Sequence, residues 1–252
     1  MGTDGIGGWV AEVWGRVSSP QPAPADAVVL GAALAVLLVL AVPTTWHVAR
    51  HALTIVHEAA HAAVAVLSGR RLQGIRLHSD TSGLTVSVGR PRGPGMVATA
   101  FAGYPGPAVL GLGAAGLLSR GYAVGVLWAL LLVLVLVLLQ IRNLYGLWVV
   151  LVSGIALVAL TSWAPTAWQV AAAYAVTWFL LLGAPRAVLE LQTARRRERR
   201  RGRGTSDADV LAGLTRVPAL VWVGLFLVVC VGAVVLGGLW IVPGTGRLGA
   251  GG

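Results

Sequence analysis

The chain has 252 residues, 57% of them hydrophobic and 11% charged, and its 19 basic residues, all arginine, outnumber 9 acidic ones. Apolar runs on that scale exceed what the core of a soluble domain uses, so the composition describes a polytopic membrane protein. The net charge of +10 does not mark a nucleic-acid binder, because the arginines stand beside hydrophobic spans and no nucleic-acid module is visible.

In chain order, residues 1–26 read as an N-terminal interfacial segment, with Trp9 and Trp14 at the spacing of a short helix. The first long apolar run, 27–42, has spanning length and follows a polar stretch, so no cleavable signal peptide is expected. A second run, 47–67, ends at Gly69. Over 70–90 the period changes to two: Leu84, Val86 and Val88 alternate with Thr85 and Ser87 after Asp80-Thr81-Ser82-Gly83, which predicts a β-hairpin. Further spans are expected at 96–118, interrupted by Gly103-Tyr104-Pro105-Gly106-Pro107, and at 122–141, 147–160, 168–184 and 217–242. The fold class is therefore an all-α polytopic membrane protein of about seven transmembrane helices, with a small hairpin between helices 2 and 3. Residues 27–184 form its core and 217–243 a C-terminal helix. The run Arg195–Arg203 reads as an exposed basic loop within 185–216, where Ser206-Asp207-Ala208-Asp209 caps a short helix, and 244–252 as a disordered tail.

If the loop with seven arginines is cytoplasmic, alternation of seven spans puts residues 70–92, Arg142 and Arg16 on that side and leaves Arg50, Arg120 and Arg247 outside. The loop's arginines are expected to meet anionic lipid headgroups.

Within the second run stands His57-Glu58-Ala59-Ala60-His61. In a helix the two imidazoles are four residues apart on one face and reach one metal ion, while the neighbouring carboxylate can hold a water. Ionisable groups are costly in a membrane helix, so function is the first hypothesis for them. Zinc there keeps a position for water, lowers its pKa and polarises a carbonyl, with Glu58 as general base. The competing reading is a hydrogen-bonded trio without metal. His47 and His51, on the same helix, suit interfacial or packing roles, His78 a solvated one, and Cys230, the single cysteine, a small core residue that excludes an intrachain disulfide.

These residues resemble the site-2 protease family of intramembrane zinc metallopeptidases, most closely its compact bacterial branch. The resemblance rests on His57-Glu58-x-x-His61, Gly69 and the hairpin with Ser82-Gly83-Leu84-Thr85, the break at 103–107, and Arg142-Asn143-x-x-Gly146. It implies a zinc endopeptidase in a bacterial cytoplasmic membrane, and the alternation of spans puts its active site towards the cytoplasm. The substrate would be a transmembrane or membrane-proximal protein, admitted as an added strand beside the hairpin. It also implies an aspartate from a later helix as third zinc ligand. No aspartate lies between Asp80 and Asp207, and the positional equivalent is Asn143, as a ligand or as a helix-end cap. Two alternatives stay open: a catalytically silent protein that binds membrane segments or acts as a scaffold, and a transporter.

Overall fold

The structure, a computed structural model, describes residues 3–199, 206–242 and 244. In a bilayer the backbone must satisfy its own hydrogen bonds, and the long apolar runs do so as helices. The chain forms α1 (Thr3–Ser18), α2 (Asp26–Ala41), α3 (Pro43–Leu67), β1 (Arg71–Leu77), β2 (Gly83–Val88), α4 (Pro94–Ala102) and α5 (Pro105–Leu118). It continues through α6 (Ala123–Gln140), α7 (Leu144–Trp163), α8 (Thr166–Arg199), α9 (Asp207–Thr215) and α10 (Ala219–Ile241). The mainly helical architecture with one antiparallel hairpin is as expected from the sequence. The tail beyond 244 and the arginines at 200, 201 and 203 lie outside the described residues.

The count of seven spans is not reached among the described residues. Helices α6, α7, α8 and α10 are each long and apolar enough to cross a membrane, and the count reaches 6 if the bent pairs α2 with α3 and α4 with α5 are each taken as one. Between α2 and α3 the chain bends by 107° at Val42-Pro43. Proline at the first helical position starts a new helix rather than continuing the old one. The two faces of α3 explain where it goes next. Ala52, Ile55 and Val56 line an apolar cavity of about 430 Å³ among α2, α6, α7 and α8, whereas Arg50, Thr54, His57 and Glu58 line a polar one.

Contacts fix which segments share an end of the bundle. Arg50 is ion-paired to Glu190 of α8 at 3.4 Å, His51 Nε2 lies 2.8 Å from the Tyr145 hydroxyl, and Ile75 pairs with Ile141. The N-terminal segment sits at the opposite end, where Gln21 donates to the Gly121 carbonyl and takes the Val124 N–H. Two expectations are thereby reversed: Arg50 joins the arginine-rich end, and Arg16, whose carbonyl accepts from Gln21, joins Arg120 at the other. Alternation fails because α3 turns at the bundle end instead of adding a crossing.

The core lies where α5, α8 and α10 meet, with Ala115, Leu181, Phe226 and Cys230 fully buried. Small residues let these helices approach: a Cβ on Gly237 would sit 2.8 Å from Leu181 Cδ1. α8 has 34 residues. At 1.5 Å per residue it is roughly 50 Å long, well beyond a hydrocarbon core of about 30 Å, so its C-terminal turns stand clear of the apolar layer. The stretch expected as a loop from Arg195 is accordingly helical as far as Arg199.

Candidate metal centre

α3 carries the first two donors. His57 and His61 sit one turn apart and meet edge to face with ring centroids 4.6 Å apart, and their Nε2 atoms are 3.0 Å from each other. α3 then stops in a Schellman arrangement: Arg70 N–H meets the Ala65 carbonyl and Gly69 N–H that of Val66, each at 2.9 Å, with Gly69 at φ +74°. That stop lets the hairpin fold back along α3, so that β2 covers Glu58. Thr85 Oγ1 donates to Glu58 Oε2 at 2.6 Å, and the carboxylate is 3% exposed, with Oε1 4.0 Å from His57 Nε2. Gly83 is required here, because a Cβ would run into the Glu58 carboxylate.

The break between α4 and α5 supplies the opposite wall. Gly103 faces both imidazoles, and a Cβ there would strike His57 and His61. Tyr104 meets the His57 ring edge-on at 4.8 Å and is stacked from behind by Phe226 of α10 at 5.4 Å. The carbonyl of Tyr104 is met by the Cys230 thiol at 3.7 Å, which gives the buried cysteine a packing role. Thr99 contributes most to the chemistry: its carbonyl lies 2.7 Å from His61 Nδ1. Nδ1 must therefore carry the proton, and Nε2 presents a lone pair.

The third donor is Asp207. Its Oδ2 lies 3.2 Å from His61 Nε2 and 3.3 Å from His57 Nε2. Asp207 is the first residue of α9, which is N-capped by Ser206 through the Asp209 N–H. α9 is held against α8 by Arg195, 5% exposed, whose guanidinium donates to Asp209 at 2.7 Å and to Gln192 at 3.1 Å.

His57, Glu58 and His61 therefore stand together, as their spacing predicts, while Asn143 stands apart from them. Its Nδ2 donates to the Leu77 carbonyl at 2.7 Å and its Oδ1 accepts the Leu77 N–H at 3.2 Å. Its side chain makes no cap bond to α7 either. With Arg142 N–H on the Ile75 carbonyl, Asn143 closes the outer edge of β1. Gly146 leaves room for this, since a Cβ would come within 2.7 Å of Oδ1. The amide bonds the Leu77 backbone, and Asp207 rather than Asn143 lies with the two histidines. Two signals for Asp207 were present in the sequence: an acidic pair behind a predicted N-cap, and the scarcity of carboxylates, 9 in all.

Two imidazole nitrogens and a carboxylate oxygen converge on one point, and a cation is what such a meeting of lone pairs calls for. Ligands about 2.0 Å from a tetrahedral zinc are themselves about 3.3 Å apart, close to the separations found here. The donors suit zinc in kind as well as in spacing, and among the described residues they are the one group of three or more metal-ligating side chains. A model of the peptidase M50B-like family matches residues 30–237, most of the chain.

The chain belongs to the peptidase M50B-like family.

No curated protein and no solved structure matches it. Membership in the M50B-like family and the apolar helices together make it an integral membrane protein of protease type. The matched region takes in α9 and most of α10, which supply Asp207 and Phe226.

Proposed function

We propose that the chain is an integral-membrane zinc endopeptidase that cleaves a transmembrane or membrane-proximal protein in or next to the bilayer. The observation that carries this reading is the convergence of His57 Nε2, His61 Nε2 and Asp207 Oδ2 beside Glu58, at the edge of a cavity of about 220 Å³. A zinc ion held by these three residues would supply Lewis-acid polarisation of the peptide carbonyl and a lowered pKa for water. Thr99 orients His61 as a lone-pair donor, and Asp207 brings one negative charge to the ion. Glu58, held by Thr85, takes a proton from the attacking water and returns it to the departing amine nitrogen.

The distribution of arginines supports one side of the membrane for the site. Among the described residues only Arg16 and Arg120 sit at the end away from the hairpin, a bias that favours a cytoplasmic position for the site's end. The exposed Arg196 and Arg197 face that side and suit anionic headgroups. The scaffold reading drew on the lack of an aspartate for the third position, and Asp207 removes that ground. The transporter reading has no repeat or second polar span to support it.

Comparing the membrane proteome of cells that carry wild type or Glu58→Gln tests the reading. A membrane protein cleaved only with the wild-type chain is the expected result. Identical fragment patterns, with both proteins folded and zinc-loaded, would refute it.

A further inference from the structure

The cavity beside the metal centre holds a charge that the proposed chemistry does not use. Arg50 lies on the same face of α3 as His57 and lines the cavity together with Thr54, Glu58, Tyr104 and Asp207. Among the described lining residues it alone has a permanent positive charge. Its side chain keeps 37% of its surface open, and its one ionic partner, Glu190, approaches NH1 at 3.4 Å without forming a hydrogen bond. Glu190 is shared: its Oε1 takes the Trp46 indole N–H at 2.6 Å and lies 3.5 Å from Arg186. One carboxylate thus faces two guanidinium groups, and none of the five N–H donors of Arg50 is satisfied by a described residue.

A guanidinium fork with free donors in a partly enclosed cavity fits one chemistry above others, a carboxylate taken in bidentate fashion. Its position sets the register. Seven residues of helix separate Arg50 from His57, about 10 Å at 1.5 Å per residue. An extended peptide covers that distance in about three residues at 3.3 Å each.

We propose that Arg50 selects peptides carrying a carboxylate about three residues from the bond to be cleaved. This rests on the metallopeptidase reading and adds a substrate class to it. The carboxylate is either an acidic side chain or the C-terminus of the peptide, and both present the same two oxygens.

Peptide hydroxamates, which anchor on a metal ion, test the proposal on zinc-loaded, detergent-purified full-length protein without needing the natural substrate. One series runs from the hydroxamate towards the C-terminus and ends, at the third residue, in capped alanine, capped aspartate or alanine with a free carboxylate. A second series of reverse polarity carries alanine or aspartate at the same distance. The proposal expects a carboxylate to tighten binding about tenfold or more in one polarity. That gain is lost in Arg50→Gln and only partly kept in Arg50→Lys, which retains the charge but not the fork, with zinc content unchanged in both variants. Which member gains identifies the source, side chain or C-terminus. Equal affinity of charged and neutral probes for wild type in both series overturns the proposal, as does a preference that survives Arg50→Gln. If zinc-loaded wild type binds no hydroxamate at all, the metallopeptidase reading falls first and this inference falls with it.

Discussion

His61 Nε2 and Asp207 Oδ2 lie 3.2 Å apart although 146 residues separate them in the chain. Their meeting depends on a short helix, α9, delivered by the end of a long one, α8, and the quality of the metal centre is set by how firmly α9 is docked.

The dock is the ion pair of Arg195 with Asp209. Both side chains are largely buried, so removing one leaves the other charge unpaired at a cost of about 3 kcal/mol. Arg195→Gln is therefore expected to weaken zinc binding by at least about tenfold while the helix content by circular dichroism stays the same. The exchange Arg195→Asp with Asp209→Arg restores part of the loss.

The same pair predicts a pH dependence. Hydrogen bonding from Arg195 holds the Asp209 carboxyl below its ordinary value of 3.8, against a smaller upward effect of burial. A depressed carboxyl contributes stability that is complete above the unfolded value and is lost as the pH falls through the folded one. Amide exchange of residues 207–215 should therefore stay protected at pH 5 to 7 and lose protection below about pH 4.

Gly103→Ala puts a methyl group against His57 and His61. Overpacking of this kind costs about 1–3 kcal/mol, and here the groups that must give way are the donors themselves. Zinc content is expected to fall well below one per chain while the thermal transition shifts by only a few degrees. Gly113→Ala, where a Cβ meets nothing within 4 Å, is the matched control and should leave both unchanged.

Thr81 pays twice for its place in the hairpin turn. It is a β-branched residue at φ +67°, and its buried hydroxyl has no hydrogen-bond partner. Thr81→Gly relieves both and is expected to raise stability by about 1 kcal/mol, read as a higher midpoint of thermal unfolding.

How far the molecule could be read from its sequence depended on whether the signal was local. The hairpin was legible because alternation at 84–88 and the Asp80–Gly83 turn residues are read within a few positions, and β1 and β2 pair as that pattern requires. The pair His57 and His61 was legible because helical spacing alone brings it together. The path of α3 was not. A run of 21 residues from 47 to 67 has spanning length, and only the packing of its two unlike faces, with Pro43 in front, shows that it turns at the bundle end. Asp207 was hidden for a related reason. In a run of arginines nothing marks Arg195 as the one that is buried against Asp209, so the docking of α9, and the donor it carries, depends on tertiary contact. Asn143 misled because its position after α6 is right for a ligand, while its amide is consumed by Leu77, a contact made across 66 residues.

His57, His61 and Asp207 are proposed to hold one zinc ion together. Zinc per chain in detergent-purified protein, measured for wild type, Asp207→Asn and Asn143→Ala, tests it most directly. About one zinc is expected in wild type and in Asn143→Ala, where the loss is instead about 1–3 kcal/mol of stability from the unpaired Leu77 backbone, and little in Asp207→Asn. Full zinc content in folded Asp207→Asn, or its loss in Asn143→Ala with the fold intact, would contradict it.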